Sequence, residues 1–417
     1  MALPTPTGWE HNPGCTYAWR TLLEKTRSKL VNFTKVVIKL GKDEPRRAIH
    51  SFKVGLALVL VSILQHLRPS FYGFGDNVVW AVITVVLVLE VSVGATLGKG
   101  LNRVLATLLA GALGVAIRRI ASFSGNKGKA VLSSTSVFFV ENELLEVAQE
   151  RLLTIIIGSF IAVMVSICIC PVWVGQDLHN QIAANIEKLS DFFQGFGDEY
   201  FNNLENTTEA MGDKPFLHTY ESVLSSKSSE ETMAVLARWE PCHGRFRFHH
   251  PWKQYLKIGN QIRLCAFKVK ALSVFLLRSD QTPYEFRRRI QESSTNISME
   301  SGKALKESSL MLKHMAKPSS IRNAHVANAK TAAESLKSVL RTNPWEGADN
   351  LEIIAVATVA SLLIDVVVCV DNICQAVDEV ATLAKFVPSD CCFIQEHPIP
   401  NQHVSIHVIN HVANSAE

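Results

Sequence analysis

Two basic residues lie one helical turn apart inside a strongly apolar stretch, WAVITVVLVLEVSVGATLGKGLNRVLATLLAG (80–111). Lys99 and Arg103 are four residues apart, so on a helix their side chains emerge from one face. Rings of Lys and Arg select for anions in membrane pores. Two cations that extend from the end of a membrane helix toward water would give the same pattern. The spacing alone therefore leaves an anion pathway and an ordinary helix flank both open.

A carboxylic acid, Glu90, lies deeper in the same stretch. If ionised, it would oppose the passage of anions, which favours a protonated or hydrogen-bonded structural carboxyl. The chemistry of this stretch is therefore assigned to its basic residues.

A second cluster of charged residues precedes the last apolar run of the N-terminal half. Glu143, Glu146 and Glu150 repeat at intervals of three and four, so they share a helix face, and Arg151 follows them. Carboxylate oxygens are the ligands of hard multivalent cations, which predicts an outer cation-sensing site. The alternative is a solvated, charged helix start whose glutamates pair with Arg151.

The elements that must position these residues are apolar and long. The chain has 417 residues, of which 47% are hydrophobic and only 19% charged. Four runs are apolar enough to cross a bilayer as helices, and the last of them contains no charged residue. These features predict an all-α integral membrane protein with four transmembrane helices, at about 48–67, 78–97, 101–117 and 152–174. Small residues four apart, such as Gly94 and Gly98, predict close helix packing on protein as well as on lipid.

Basic residues set the orientation. They crowd the approach to the first span, so the N-terminus is predicted to be cytosolic, and four spans return the chain to the cytosol. The region 118–151 departs from this rule, because it carries five basic residues on the predicted outer side. The predicted organisation is a cytosolic N-terminal segment (1–47), a transmembrane domain (48–174), a cytosolic helical domain (175–386) and a disordered tail (387–417), with both termini in the cytosol.

One further run, Leu351–Val370, is apolar enough to be a fifth span. Glu352 and Asp365 lie within it, and three more carboxylates follow closely. Carboxylates at membrane depth are costly, so a helix buried in a cytosolic bundle is the preferred interpretation.

The segment WEPCHGRFRFHHPWKQY (239–255) mixes aromatic and basic side chains. Such a mixture can stack on nucleic-acid bases, but it also forms packing corners in which prolines fix the turns. The segment is short and the net charge is only +4. A packing role is therefore predicted, with no nucleic-acid partner.

Catalytic patterns are not found. The sequence contains no GxSxG, Walker A or HExxH motif, so it is not predicted to be an enzyme or to need a cofactor. Near the C-terminus His403, His407 and His411 are four apart and would share a helix face. Neighbouring asparagines disfavour that helix, and no metal site is predicted.

Several long motifs resemble those of one known family. TVVLVLEVSVGATLGKGLNR, CPVWVGQDLH and the WEP segment are similar to sequences of the plant aluminium-activated malate transporters, and the resemblance extends over roughly residues 41–390. It implies a homodimeric channel for malate and inorganic anions, with aluminium activation as an expectation to test. It also implies that basic residues of the membrane domain bind the anion; on this chain these are Lys53, Lys99, Arg103 and Arg151.

The chain departs from the family in one respect. Family members have six membrane helices, whereas the residues between Ser122 and Arg151 are too few for two more spans. The predicted function is an anion channel subunit in a plant membrane, with the plasma membrane favoured over the vacuolar membrane. Its partners would be malate, inorganic anions, membrane lipid and a second subunit. The alternative is a truncated, non-conducting subunit that dimerises with full-length relatives and regulates them.

Overall fold

The computed structural model describes residues 43–67, 74–123, 143–202, 219–247, 250–277, 284–342 and 350–387. The N-terminal segment to residue 42 and the predicted tail from residue 388 lie outside the described residues. The regular structure of the described ranges is helical, apart from two isolated β-bridges, so the all-α prediction is confirmed. The helices are α1 Pro45–Leu67, α2 Phe74–Val88, α3 Val93–Phe123, α4 Glu143–Cys168, α5 Val174–Asn202, α6 Thr219–Leu224, α7 Lys227–Ala237, α8 Trp252–Leu277, α9 Tyr284–His314, α10 Ser320–Thr342 and α11 Asn350–Leu383.

The chain forms two compact units. The first comprises Met1–Asp177 with Thr232–Phe248, and the second comprises Leu178–Glu231 with His249–Glu417. Residues 239–248 of the WEP segment therefore belong to the same unit as the N-terminal apolar helices, and its remaining residues belong to the second unit.

Helices α1, α2 and α4 pack around an apolar core in the first unit. Glycine permits the closest contact, because a Cβ at Gly158 of α4 would lie 2.8 Å from the carbonyl oxygen of Ala81 on α2. Other large apolar side chains of this unit are exposed, including Leu109 on α3 and Phe160 on α4. Outward-facing apolar surface of this extent suits solvation by lipid. The buried core consists of Ala57, Val61, Ala81, Val85, Val88, Leu89, Ala162 and Val165.

Three helical stretches of the described residues are long and apolar enough to cross a membrane: Pro45–His66, Glu150–Cys168 and Ile353–Leu383. Val79–Val88 is a shorter apolar helix. The first two stretches lie within α1 and α4, which overlap the predicted spans 48–67 and 152–174. The third overlaps Leu351–Val370, the run that is predicted to lie in a cytosolic bundle.

The stretch 78–97, predicted as one span, is divided in the structure. Helix α2 ends at Val88, and α3 begins at Val93 after a short non-helical break. Polar side chains hold the break: the Ser92 hydroxyl accepts the Ala95 N–H at 3.3 Å, and the Thr96 hydroxyl accepts the Glu90 N–H at 3.0 Å. Ser92 therefore acts as the N-cap of α3.

Helices α8 to α11 form a bundle in the second unit. α11 packs on α8, α9 and α10 and buries one apolar face that includes Val359, Leu363 and Val366. Its carboxylates form ion pairs with basic residues of α8 and α10. The pairs are Asp365–Lys268 at 2.6 Å, Asp371–Lys330 at 3.0 Å, Asp378–Arg322 at 2.7 Å and Glu379–Lys257 at 2.7 Å.

Candidate functional site

Lys53 lies on the buried face of α1, in line with Ala57 and Val61 one and two turns later. Its side chain is only 1% exposed, yet its Nζ donates a single hydrogen bond of 3.4 Å, to the Ser166 carbonyl oxygen of α4. The Ser166 hydroxyl is also buried and has no hydrogen-bond partner among the described residues.

This environment compensates the lysine charge poorly. An ammonium group has three donors, and here one long bond to a neutral carbonyl satisfies only one of them. Within the described part of the chain, no carboxylate pairs with Lys53. Burying a charge without a partner costs on the order of several kcal/mol, because the desolvation of the ion is not compensated. The Lys53 ammonium group and the Ser166 hydroxyl are therefore two buried polar groups whose hydrogen-bonding capacity the described residues do not fill.

Lys99 of α3 has a partner within the chain. Its Nζ forms an ion pair with the Glu90 carboxylate, across the break between α2 and α3. The lysine side chain is 54% exposed and that of Glu90 is 36% exposed, so the pair lies at the surface of the unit. Glu90 is thus hydrogen-bonded, and part of the Lys99 charge is already neutralised.

Arg103 lies one turn further along α3 and is part-buried. Its Nε is buried and has no hydrogen-bond partner among the described residues. Of the two basic residues on this helix face, Arg103 is therefore the one that retains an unsatisfied donor.

Arg151 of α4 is exposed, and its guanidinium carbon lies 4.8 Å from the ring centroid of Trp80 on α2. Such a cation–π contact stabilises by about 0.5–1 kcal/mol at an exposed site. Glu150 is part-buried beside it on α4. The side chains of Glu143 and Glu146 lie outside the described residues, although both positions belong to α4. Among the residues that the structure describes, no group of three or more His, Cys, Asp or Glu residues is placed to hold a metal ion.

A second constellation, which we call the WEP turn (residues 236–246), packs on these helices within the first unit. Its Glu240 carboxylate accepts the Val174 N–H at 2.6 Å and the Gly175 N–H at 3.0 Å, and so caps the N-terminus of α5. Its His243 ring stacks on Trp173 with ring centroids 3.8 Å apart and planes 6° from parallel.

The glycine pair of α3 receives this turn. A Cβ at Gly94 would lie 2.3 Å from the Leu236 carbonyl oxygen, and one at Gly98 would lie 3.3 Å from the Trp239 indole. The sequence predicted that this pair allows close packing on protein, and it does, but the partner is a turn and not a membrane helix. The packing role predicted for the WEP segment agrees with these contacts.

The electrostatics of the WEP turn are unusual. Burial raises the pKa of Glu240 to about 7, although the two backbone hydrogen bonds lower it, and the nearby Asp177 carboxylate raises it further. Burial also lowers the pKa of His243, whose Nδ1–H donates to the Pro241 carbonyl oxygen at 2.9 Å. Arg46 of α1 binds both Asp177 carboxylate oxygens, at 2.7 and 2.9 Å. Sequence reasoning missed this cap, because nothing in the order of residues links position 240 with 174.

The comparisons with known proteins agree with one another. A family model described as "Aluminium activated malate transporter" matches residues 38–142 and 139–345. Aluminum-activated malate transporter 7 of Arabidopsis thaliana is 40% identical over 413 residues, covering 84% of this chain and 81% of the relative. Transporter 2 of the same plant is 41% identical over 387 residues, covering 84% and 77%. Transporter 1 of Triticum aestivum is 34% identical over 418 residues, covering 89% and 90%.

These matches also bear on the short region before α4. The two stretches matched by the family model meet at residues 139–142, inside the region too short for two further spans. An alignment of 413 positions that covers 84% of a 417-residue chain contains gaps on this chain's side. The relative thus has internal residues that this chain lacks.

Proposed function

Because the chain belongs to the aluminium-activated malate transporter family, we propose that it forms a channel that carries malate and inorganic anions passively across a plant membrane. The observation that carries this proposal is the buried ammonium group of Lys53, whose one described partner is a carbonyl oxygen at 3.4 Å. A pathway for anions needs such a cation, whereas a purely structural cation would be paired.

The physical reason lies in the cost of dehydrating an anion. A carboxylate that leaves water needs a positive charge nearby, and two unit charges 4 Å apart attract by about 4 kcal/mol at an effective dielectric constant of about 20. Malate carries two carboxylates, so it needs such a positive charge at two positions. Its arrival would in turn supply Lys53 with the counter-charge that the described chain does not provide.

The other basic residues take graded roles in the proposed pathway. Arg103 is the second ligand, because its buried Nε has no partner among the described residues. Lys99 contributes less, since Glu90 already pairs with it. Arg151 lies at the proposed outer end, where Trp80 holds its guanidinium.

In the proposed topology both termini are cytosolic, and α11 stays in the cytosol. The four ion pairs that its carboxylates form with α8 and α10 support this placement, because they would be costly in lipid. We favour the plasma membrane over the vacuolar membrane, and a homodimer, or a heterodimer with relatives, surrounded by lipid. Protease treatment of tagged ends from the outer side tests this topology: a C-terminal tag that is degraded would mean that α11 crosses the membrane.

Aluminium activation is proposed to act through Glu143, Glu146 and Glu150, because hard trivalent cations take carboxylate oxygens. Replacement of the three by Gln would then abolish activation by external aluminium and leave the basal current intact. Activation that persists in the triple variant would remove these residues from the proposal.

The test of conduction is voltage clamp of cells that express the chain and contain malate. Wild type is expected to give an anion current whose reversal potential follows the malate gradient. At equal surface abundance, Lys53→Met should lose at least about nine-tenths of that current. This is the loss expected if the variant binds malate about tenfold more weakly. Lys227→Met is the matched control, because the Lys227 side chain is exposed.

Two outcomes would contradict the proposal at different levels. Wild-type protein that reaches the surface and passes no current would favour the non-conducting regulatory subunit. A conducting wild type with an equally conducting Lys53→Met variant would retain the channel and remove Lys53 from the anion pathway.

A further inference from the structure

We propose that the WEP turn docks on α3 and α5 in a proton-linked manner: its docking is tightest while Glu240 carries a proton and weakens as the pH of the surrounding solution rises. This inference concerns the conformation of the turn and does not depend on whether the chain conducts anions.

Three contacts hold the turn in its docked position. Trp239 lies against Gly98, the Leu236 carbonyl lies against Gly94, and His243 stacks on Trp173. The fourth contact is the Glu240 carboxyl group on the first two N–H groups of α5. These N–H groups have no acceptor inside their own helix, so Glu240 is the group that satisfies them.

The surroundings of Glu240 contain little positive charge. The carboxyl side chain is 1% exposed. From α5 it faces Asp177, which is itself negative, and the one described cation near Asp177 is Arg46, which binds both oxygens of that carboxylate. From α3 it faces Gly94, which has no side chain. An ionised Glu240 would therefore depend on two N–H groups and the helix dipole alone.

The remaining neighbour, His243, gives an ionised Glu240 little support, because burial lowers the pKa of its ring and favours the neutral form. Its Nδ1–H donates to Pro241, so its Nε2 carries a lone pair, and that atom lies 3.9 Å from a Glu240 carboxyl oxygen. Nε2 is buried and has no hydrogen-bond partner among the described residues. At 3.9 Å the two atoms are too far apart for a hydrogen bond, so the ring stabilises a Glu240 carboxylate neither as a cation nor as a donor.

Linkage gives the sign and the size of the pH effect. The pKa of Glu240 is about 7 in the docked turn and would return toward its ordinary value of 4.5 when the turn is released into water. The docked state thus binds the proton more tightly, so docking weakens as the pH rises toward 7 and levels off above it. Between pH 6 and pH 8 the ratio of released to docked turn should rise about tenfold.

The test is amide hydrogen exchange of full-length protein in detergent between pH 6 and pH 8, with each rate corrected for its intrinsic pH dependence. In wild type, protection of the Val174 and Gly175 amides should fall about tenfold over this range. Glu240→Gln stays neutral at every pH and should show no such fall. Glu231→Gln is the matched control on the same stretch of chain; its side chain is 56% exposed, and it should keep the wild-type slope.

A flat wild-type profile, or a slope that survives in Glu240→Gln, would overturn the proposal. If Glu240→Gln does not fold, Gly94→Ala serves instead, because its Cβ would meet the Leu236 carbonyl oxygen and prevent docking. That variant should show low protection of the two amides at both pH values. Wild-type protection and slope in Gly94→Ala would likewise overturn the proposal.

Discussion

Two buried cations, one in each unit, are accommodated in opposite ways. In the second unit Arg263 donates to Glu230 at 2.5 Å and to Asn260 at 2.7 Å, and the two ion-paired side chains are 10% and 1% exposed. In the first unit Lys53 is as deeply buried, but its described partner is a carbonyl oxygen at 3.4 Å. A charge that serves the fold is compensated by the fold, whereas an uncompensated charge points to a ligand.

The largest effect should come from breaking the compensated pair. Glu230→Ala leaves Arg263 buried without its carboxylate and also removes an acceptor from Asn185 and Ser226. Loss of one partner of a buried ion pair costs about 3–5 kcal/mol of stability. Thermal unfolding in detergent would measure this as a large drop in midpoint. Glu231→Ala, next in sequence but exposed, should change stability by no more than about 0.5 kcal/mol.

A smaller effect should come from crowding the same pair. A Cβ at Gly259 would lie 2.2 Å from a Glu230 carboxylate oxygen, so Gly259→Ala must displace the carboxylate from Arg263. We expect a loss of about 1–3 kcal/mol, as for other overpacked cores. Gly111→Ala is the control, because a Cβ there meets nothing within 4 Å. Equal unfolding midpoints for the two variants would mean that the pair is not tightly packed.

In the first unit, two basic residues on the same helix differ in how far their charges are compensated. Arg103→Gln removes a part-buried cation that has an unpaired donor, whereas Lys99→Gln removes a cation that Glu90 already neutralises. Lys99 is half-exposed and Glu90 already offsets part of its charge, so Lys99→Gln should reduce malate current by only about a few-fold. Arg103→Gln should reduce it more, at equal surface protein. The reverse order would place the pathway nearer to Lys99 than to Arg103.

Sequence reasoning reached the helical class of the described chain because apolar runs and helical spacing are local signals. Lys99, Arg103 and Arg151 were also within reach, because they lie in or beside apolar runs, and Lys53 was reached through resemblance to known motifs. The partners of buried cations were not predictable, because they lie far from them in the chain: Arg263 and Glu230 are 33 positions apart, and Lys53 and Ser166 are 113 apart. The break at 89–92 was missed for a different reason. The break depends on two hydroxyl groups inside an otherwise apolar run. Their effect is not visible when hydropathy is averaged over the whole run.

The claim that Lys53 awaits an anion is tested most directly by equilibrium binding to the purified protein. Without anion, Lys53→Met should unfold at the same temperature as wild type or higher, because a buried charge with poor compensation is replaced by an apolar side chain of similar length. With malate at about 100 times its dissociation constant, wild type should gain about 2.7 kcal/mol, whereas Lys53→Met should gain little. A variant that malate stabilises as strongly as wild type would contradict the claim.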